Sequence, residues 1–399
     1  MQPIVITGVG AISSVGIGKE NFWDGLIAGR NGVTYIESFD TSAYRTHRGG
    51  EVKNFHPLPG TEELGRCSQF AIHAAREALA DAGLDWSALP AFRTGLTLGT
   101  TLWESPMQEH IDDIMRTPGF AACRRRLVPL AVPEAIPANL GRALRLRGPV
   151  NLITTACAAG NYALGHAASL LRSETVDLML AGGSDPISRI AYTGFSSMMA
   201  IAAERCQPFD RNRKGMVPGE GCAILVLERY DTARRRGAPI YAELAGCGIS
   251  NDAHHMTAPH PEGRGAVRAM MRALAAASIE PGDVDYISAH GTGTPANDKT
   301  ETLAMKQVFG ADAARKPLSS IKSMLGHTMS AASALEAVAC VLAVKRGVVP
   351  PTINYEEPDP ECDLDYIPNQ ARELKVHIAV SNAYAIGGHC SSVVLRRVA

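Results

Sequence analysis

The chain has 399 residues, 46% of them hydrophobic and 20% charged, with Lys plus Arg at 39 against Asp plus Glu at 40. That length supports two domains or one large layered body with a substantial core, and the composition is that of a globular enzyme, not a disordered chain. The charge balance gives no footing for nucleic acid, and no run of about 18 uncharged apolar residues offers a membrane span. The two short basic runs, Arg124–Arg126 and Arg234–Arg236, read as solvated faces. Nine cysteines are scattered without a Cys-x-x-Cys pair, and an odd number does not describe a disulfide framework. No zinc-like spacing occurs, and His254-His255 lacks further ligands, so no metal is expected. The opening Met-Gln-Pro-Ile-Val-Ile-Thr-Gly-Val-Gly has neither a basic n-region nor a long apolar run. A reducing, cytoplasmic setting is expected.

Short apolar runs with β-branched residues alternate with Ala-rich helical stretches. In the first part, Ile4–Thr7, Thr94–Leu98, Val150–Thr154, Leu178–Ala181 and Ala223–Leu227 read as strands, and Phe22–Ile27, Gln69–Ala80 and Asn161–Leu171 as helices. Near Pro239–Ala245 the pattern restarts. A strand at Tyr241–Ala245 is followed by a helix at Gly265–Ala277, a strand at Tyr286–Ala289, and helices at Lys299–Phe309 and Ala331–Val344. Strands at Ile378–Ser381 and Ser392–Leu395 close the chain. Such alternation predicts an α/β fold with buried, mostly parallel strands. Two similar halves, 1–238 and 239–399, are expected to share one compact body, because no low-complexity linker divides them; no residue-level repeat is evident. Leu127–Pro137 and Asp363–Pro368 read as surface connections.

Cys157 is the most informative residue. It stands in Thr-Thr-Ala-Cys-Ala-Ala-Gly (154–160), between an apolar run and a small-residue helix. A sulfur at a helix N-terminus meets unsatisfied N–H groups and a positive dipole end, which favour the thiolate. Taken alone, such a cysteine is more often buried filler. Two further clusters change the reading: His290 in His-Gly-Thr-Gly-Thr, and Lys322 with His327 in Lys-Ser-Met-Leu-Gly-His. His290 follows a strand, at the end where α/β sheets place ligands. If both histidines converge on Cys157, their ring N–H groups can hold a thioester oxygen as it becomes an enolate. Lys322, in a small and apolar segment, needs a partner, and Glu301 is the expected one. Asp298 is expected to cap the helix that carries Glu301. In Ser-Asn-Ala-Tyr-Ala-Ile-Gly-Gly-His-Cys (381–390), two glycines allow a tight turn that aims N–H groups at an oxyanion.

Together these clusters resemble the elongating β-ketoacyl-acyl-carrier-protein synthases of the thiolase superfamily. The similarity spans nearly the whole chain. It includes Ala-Gly-Gly-Ser-Asp (181–185), Pro-Phe-Asp-Arg-Asn-Arg-Lys-Gly (208–215), Gly-Glu-Gly (219–221), Asp-Ala-His-His-Met-Thr (252–257) and Gly387-Gly388. The resemblance implies a thiolase-like α/β fold, with two similar halves in a five-layered αβαβα body. It implies that Cys157 takes the acyl chain and that His290 and His327 support decarboxylation of malonyl-carrier protein, with Lys322 and Glu301 behind them. The N–H groups of Cys157 and Ile386 would form the oxyanion hole. Thr292 and Thr294 would line the phosphopantetheine tunnel, and Leu102 and Trp103 the acyl pocket. No cofactor is implied beyond phosphopantetheine on the carrier. The implied partners are an acyl carrier protein and a second subunit, either identical or a chain-length-factor-like one. The strand near Leu178–Ala181 is expected to pair across that interface.

The family pattern Asn-Ser-Phe-Gly-Phe-Gly-Gly-Thr-Asn is altered here. Ile386 matches the second Phe, whose ring gates the nucleophile, while Tyr384, Ala385, His389 and Cys390 replace other familiar residues. Cys390 reads as strand filler, not as a thiolase-like base. Glu62 and Glu63 stand in a region often basic for carrier docking. These departures favour a specialised synthase, making polyenes or other polyketides, over housekeeping fatty-acid elongation. A nucleophile-free chain-length-factor role and a non-decarboxylating thiolase are the other readings.

Overall fold

The computed structural model describes residues 2–398. Five strands build the first half: β1 (Ile4–Ser13), β2 (Thr94–Gly99), β3 (Val150–Ile153), β4 (Leu178–Asp185) and β5 (Gly221–Arg229). Five more build the second: β6 (Ala242–Asn251), β7 (Tyr286–Ser288), β8 (Leu318–Ser319), β9 (Ile378–Tyr384) and β10 (His389–Arg396). β1, β2 and β4 are buried at every position, which is why they read as apolar or small-residue runs without alternation.

The spatial order is β3-β2-β4-β5-β1-β6-β10-β9-β7-β8, and a short arm, Gly16–Ile17, pairs with β1 off that path as the eleventh strand of the sheet. Counted within its own half, each set of five reads 3-2-4-5-1. In each, the first three of that order pair in parallel and the fifth strand is antiparallel to both neighbours. The halves meet edge to edge where Val5 and Ile6 of β1 pair with Glu243 and Ala242 of β6. The topology thus repeats where residues do not. The sheet is mixed, contrary to the mostly parallel expectation. The turn Ala385–Gly388 is a hairpin, too short for the crossover that parallel strands need.

Helix α1 (Arg66–Asp81) covers the outer face of the first half, on β1 and β5, and α3 (Arg264–Ala277) covers β6 and β10. α4 (Pro295–Phe309) packs on α3. Between the half-sheets lie α2 (Ala159–Arg172) and α5 (Ser330–Arg346), in contact with each other and with strands of both halves. The result is the five-layered, thiolase-like arrangement. Small residues make the central contact: a Cβ on Gly160 would come within 2.7 Å of the Ala334 nitrogen. α5 is buried from Ser330 to Val344, enclosed by protein on every side.

β4 lies between β2 and β5 with both edges bonded. It therefore has no free edge for a second subunit, and the expectation for Leu178–Ala181 is overturned. The open edge of the first half belongs to β3.

Candidate active site

Cys157 sits in a short 3-10 turn, Ala156–Ala158, that leads from β3 into α2. Ala156 has φ of 47°, a left-handed conformation uncommon for a side-chain-bearing residue. Met329, just before α5, has φ of 52°. The two central helices thus both begin at a strained step. Cys157 is 7% exposed, and burial pushes its thiol up to about 11. The Lys322 charge and the residue's own N–H act in the opposite direction, but more weakly. The expected thiolate is therefore not the resting form: desolvation exceeds the help of the helix end.

His290 and His327 are almost fully buried, with ring centroids 5.6 Å apart and planes at 83°. His290 follows β7, and His327 lies in the turn before α5, where its N–H donates to the Val217 carbonyl at 2.6 Å. Lys322 Nζ donates to the His290 carbonyl at 2.7 Å and stands 3.3 Å from its Nδ1. The Met329 N–H donates to His327 Nδ1 at 3.1 Å. An ammonium has only protons to offer, so His290 Nδ1 accepts, as does His327 Nδ1. Each neutral ring then carries its proton on Nε2. Burial first, and the Lys322 charge second, hold both imidazoles well below the usual histidine range.

Glu301 is not the partner of Lys322. Its two oxygens accept the N–H groups of His290 and Gly291, each at 2.8 Å. Those bonds follow from its place early in α4, directly behind the Gly-Thr turn. The ion pair goes to Glu336 in α5, with both side chains 1% exposed. Burial pushes the carboxyls of Glu301 and Glu336 up to about 7. Glu336 was missed by sequence reasoning, yet it is the sole charged residue from Ser330 to Val344, and a buried charge in an apolar helix requires a partner. Asp298 is no cap either. Thr294 holds the N-cap position, while the Asp298 carboxylate accepts from the Phe209 N–H at 2.7 Å and the Gly293 N–H at 3.2 Å.

A cavity of about 550 Å³ reaches Cys157, His290 and His327, with Thr292, Thr294 and Ile386 also in its wall. The hydroxyls of Thr292 and Thr294 lie 2.8 Å apart. Gly387 and Gly388 have φ of 85° and 75°, and the Ile386 N–H before them has no hydrogen-bond partner among the described residues. Ile386 is 38% exposed at the rim, beside the more exposed Met199 and Met256. The Tyr384 ring, 5.7 Å from that of His290, occupies part of the wall. Cys390 also touches the cavity, its thiol pushed up to about 12 by burial.

Leu102 and Trp103 do not reach this cavity in the single chain. Asp185, buried at the end of β4, accepts from the N–H groups of Thr101 and Leu102 at 3.0 and 2.8 Å and from that of Ser330 at 2.8 Å. This ties their loop down, and Trp103 packs instead on the apolar cluster beneath α1. Among the described residues, no group of three or more His, Cys, Asp or Glu is placed to hold a metal, and no helix is long and apolar enough to cross a membrane.

Family models for the beta-ketoacyl synthase N-terminal and C-terminal domains match residues 1–233 and 241–356. The 3-oxoacyl-[acyl-carrier-protein] synthase 2 of Synechocystis sp. is 40% identical over 406 residues, covering 99% of this chain and 98% of that relative. The protein of the same name from Staphylococcus aureus (strain COL) is 39% identical over 405 residues, with coverage of 99% and 98%. Among solved structures, the ishigamide ketosynthase/chain length factor superposes with a TM-score of 0.95 at 40% identity, over the full length of both chains. A type II polyketide synthase acyl-carrier protein in complex with its ketosynthase, bound to the hexaketide, gives 0.93 at 34%, also with full coverage of both.

Proposed function

The chain belongs to the β-ketoacyl synthase family, and from that premise we propose how its residues divide the work of a carbon–carbon bond-forming acyltransferase. Cys157 Sγ attacks the carbonyl of an acyl thioester, and the carrier leaves as its thiol. Malonyl-carrier protein then enters the same cavity. Its carboxylate departs as CO2, and the bonding pair moves onto the thioester as an enolate. The enolate oxygen lies between the Nε2–H groups of His290 and His327. The enolate carbon attacks the acyl-Cys157 carbonyl, whose oxygen is held by the N–H groups of Cys157 and Ile386, and the sulfur leaves as a thiolate that takes one proton from solvent to return to its resting thiol.

The observation that carries this division is the pair of fixed tautomers. Two neutral rings that line one cavity and carry their protons on Nε2 are donors, suited to holding developing negative charge. Lys322 keeps His290 in that state and Glu336 neutralises Lys322, while Glu301 positions the His290 turn. Thr292 and Thr294 line the path of the pantetheine. Leu102 and Trp103 serve an acyl pocket that a second subunit completes. That subunit is either identical or a chain-length-factor-like partner, as in the ishigamide ketosynthase/chain length factor.

Within the family, a specialised polyene or polyketide role is proposed over housekeeping elongation. Ile386 in the gating turn supports it. The intact Cys157 nucleophile argues against a chain-length-factor role for this chain, and the two-histidine set against a thiolase. Malonyl-carrier protein and acetyl-coenzyme A separate these readings. Extension of acyl-Cys157 with malonyl-carrier protein and release of CO2 supports the synthase; extension with acetyl-coenzyme A alone supports the thiolase.

A further inference from the structure

We propose that Lys214 binds the phosphodiester of the pantetheine arm at the mouth of the cavity. The assignment rests on the proposed use of carrier-borne thioesters and adds a specific anion contact to it. Lys214 is exposed and lines the same cavity whose floor holds the buried Cys157, His290 and His327. Among the described residues, no other Lys or Arg lines that cavity.

The surrounding structure fixes the base of Lys214 and leaves its ammonium uncommitted. Arg213, its neighbour, is buried and donates to the Asp210 carbonyl at 2.8 Å and to the Asp359 carboxylate. Gly215, on the other side, donates its N–H to the Gly293 carbonyl at 3.0 Å. Gly293 lies between Thr292 and Thr294, so the backbone at Lys214 is bonded directly to the turn that carries both hydroxyls. Lys214 itself makes no ion pair or side-chain hydrogen bond with the described residues, whereas both neighbours are engaged. Asp252, the one carboxylate that lines the cavity among the described residues, is occupied by the N–H groups of His260 and Gly265, each at 3.0 Å. Met198, Met199, Met256 and Ile386 give the rest of the rim no charge.

Chemistry then selects the ligand. An acyl group that reaches the buried sulfur drags its pantetheine through the cavity, but burying a phosphodiester charge without compensation is costly. The phosphate therefore stops at the mouth. An ammonium on a flexible stem meets a phosphate as a point charge, without the planar geometry that a guanidinium imposes.

The test compares acylation of Cys157 by two thioesters of one acyl group, on phosphopantetheine and on pantetheine lacking the phosphate. The native chain should favour the phosphate-bearing thioester in kcat/KM, through KM. Lys214→Gln should reduce that preference about three- to tenfold, and Lys214→Arg should keep most of it. Added salt should erode the preference in the native chain and have little effect on it in Lys214→Gln. A Lys214→Gln variant with the native preference and native salt dependence would overturn the assignment. Failure of both thioesters to acylate the native Cys157 would instead overturn the synthase reading on which it rests.

Discussion

Burial sets the resting state of the groups around Cys157. The thiol is protonated, both imidazoles are neutral, and the buried Lys322 is matched by Glu336. Removing one partner of such a pair strands the other charge. Lys322→Ala should lose roughly 3–5 kcal/mol of stability in denaturant titration and should load an acyl group without elongating it. A Lys322→Met/Glu336→Leu double variant should recover most of the stability and none of the elongation. Elongation by that double variant would remove Lys322 from the reaction. The histidines also give stability a pH dependence. Their folded-state pKa values lie below the ordinary value of 6.5, so below that pH the unfolded chain binds protons that the folded chain refuses. Their contribution is fully present above 6.5 and is lost as pH falls, by at most about 1.4 kcal/mol per pH unit for each ring. His327→Asn should flatten the fall in stability between about pH 6.5 and 5 by that amount. An unchanged slope would contradict the neutral assignment.

The turn Ala385–Gly388 is an element in which this chain departs from the family pattern it resembles. Ile386 is smaller than the aromatic ring it replaces and stiff at its first torsion, so it cannot sweep the same volume. The Tyr384 ring stays packed against His290, and that of His389 lies 6.2 Å from Tyr162. The room at the rim is thus left open beside Met199 and Met256. In competition at equal chain length, a polyunsaturated or aryl-bearing acyl carrier should be used roughly three- to tenfold better than a saturated one. Equal or better use of the saturated chain would return the protein to ordinary fatty-acid elongation. The elements themselves were largely legible. Strands buried on both faces leave unmistakable apolar runs, and the placement of Cys157 and His290 after strands followed from local pattern. What the sequence hid is long-range. Glu301 and Glu336 are both acids near a lysine, and only the approach of α5 decides which of them meets it. The antiparallel pairing of β9 with β10 comes from the Ala385–Gly388 hairpin, whose glycines impose a reversal as well as a tight turn, while the antiparallel pairs of β5 in the first half depend on long-range packing that no local pattern marks.

At the scale of the molecule, the duplicated 3-2-4-5-1 order sets the N-termini of α2 and α5 side by side, bringing Cys157 from one half to His327 from the other. The open edge of β3, where Val150 is 37% exposed, leads directly into the Cys157 turn. A second subunit is expected to pair there, and unpaired backbone groups on such an edge favour that association. Val150→Lys should shift the assembly toward monomer in sedimentation and lower acyl loading with it. A native monomer with full activity would contradict this placement. The most direct test of the whole account is intact-mass analysis of three chains offered an acyl carrier and then malonyl-carrier protein. The account predicts acylation and two-carbon extension in the native chain, no added mass in Cys157→Ala, and in His327→Ala an acyl adduct that persists without extension. Loading on a different cysteine in Cys157→Ala, or normal extension by His327→Ala, would contradict it.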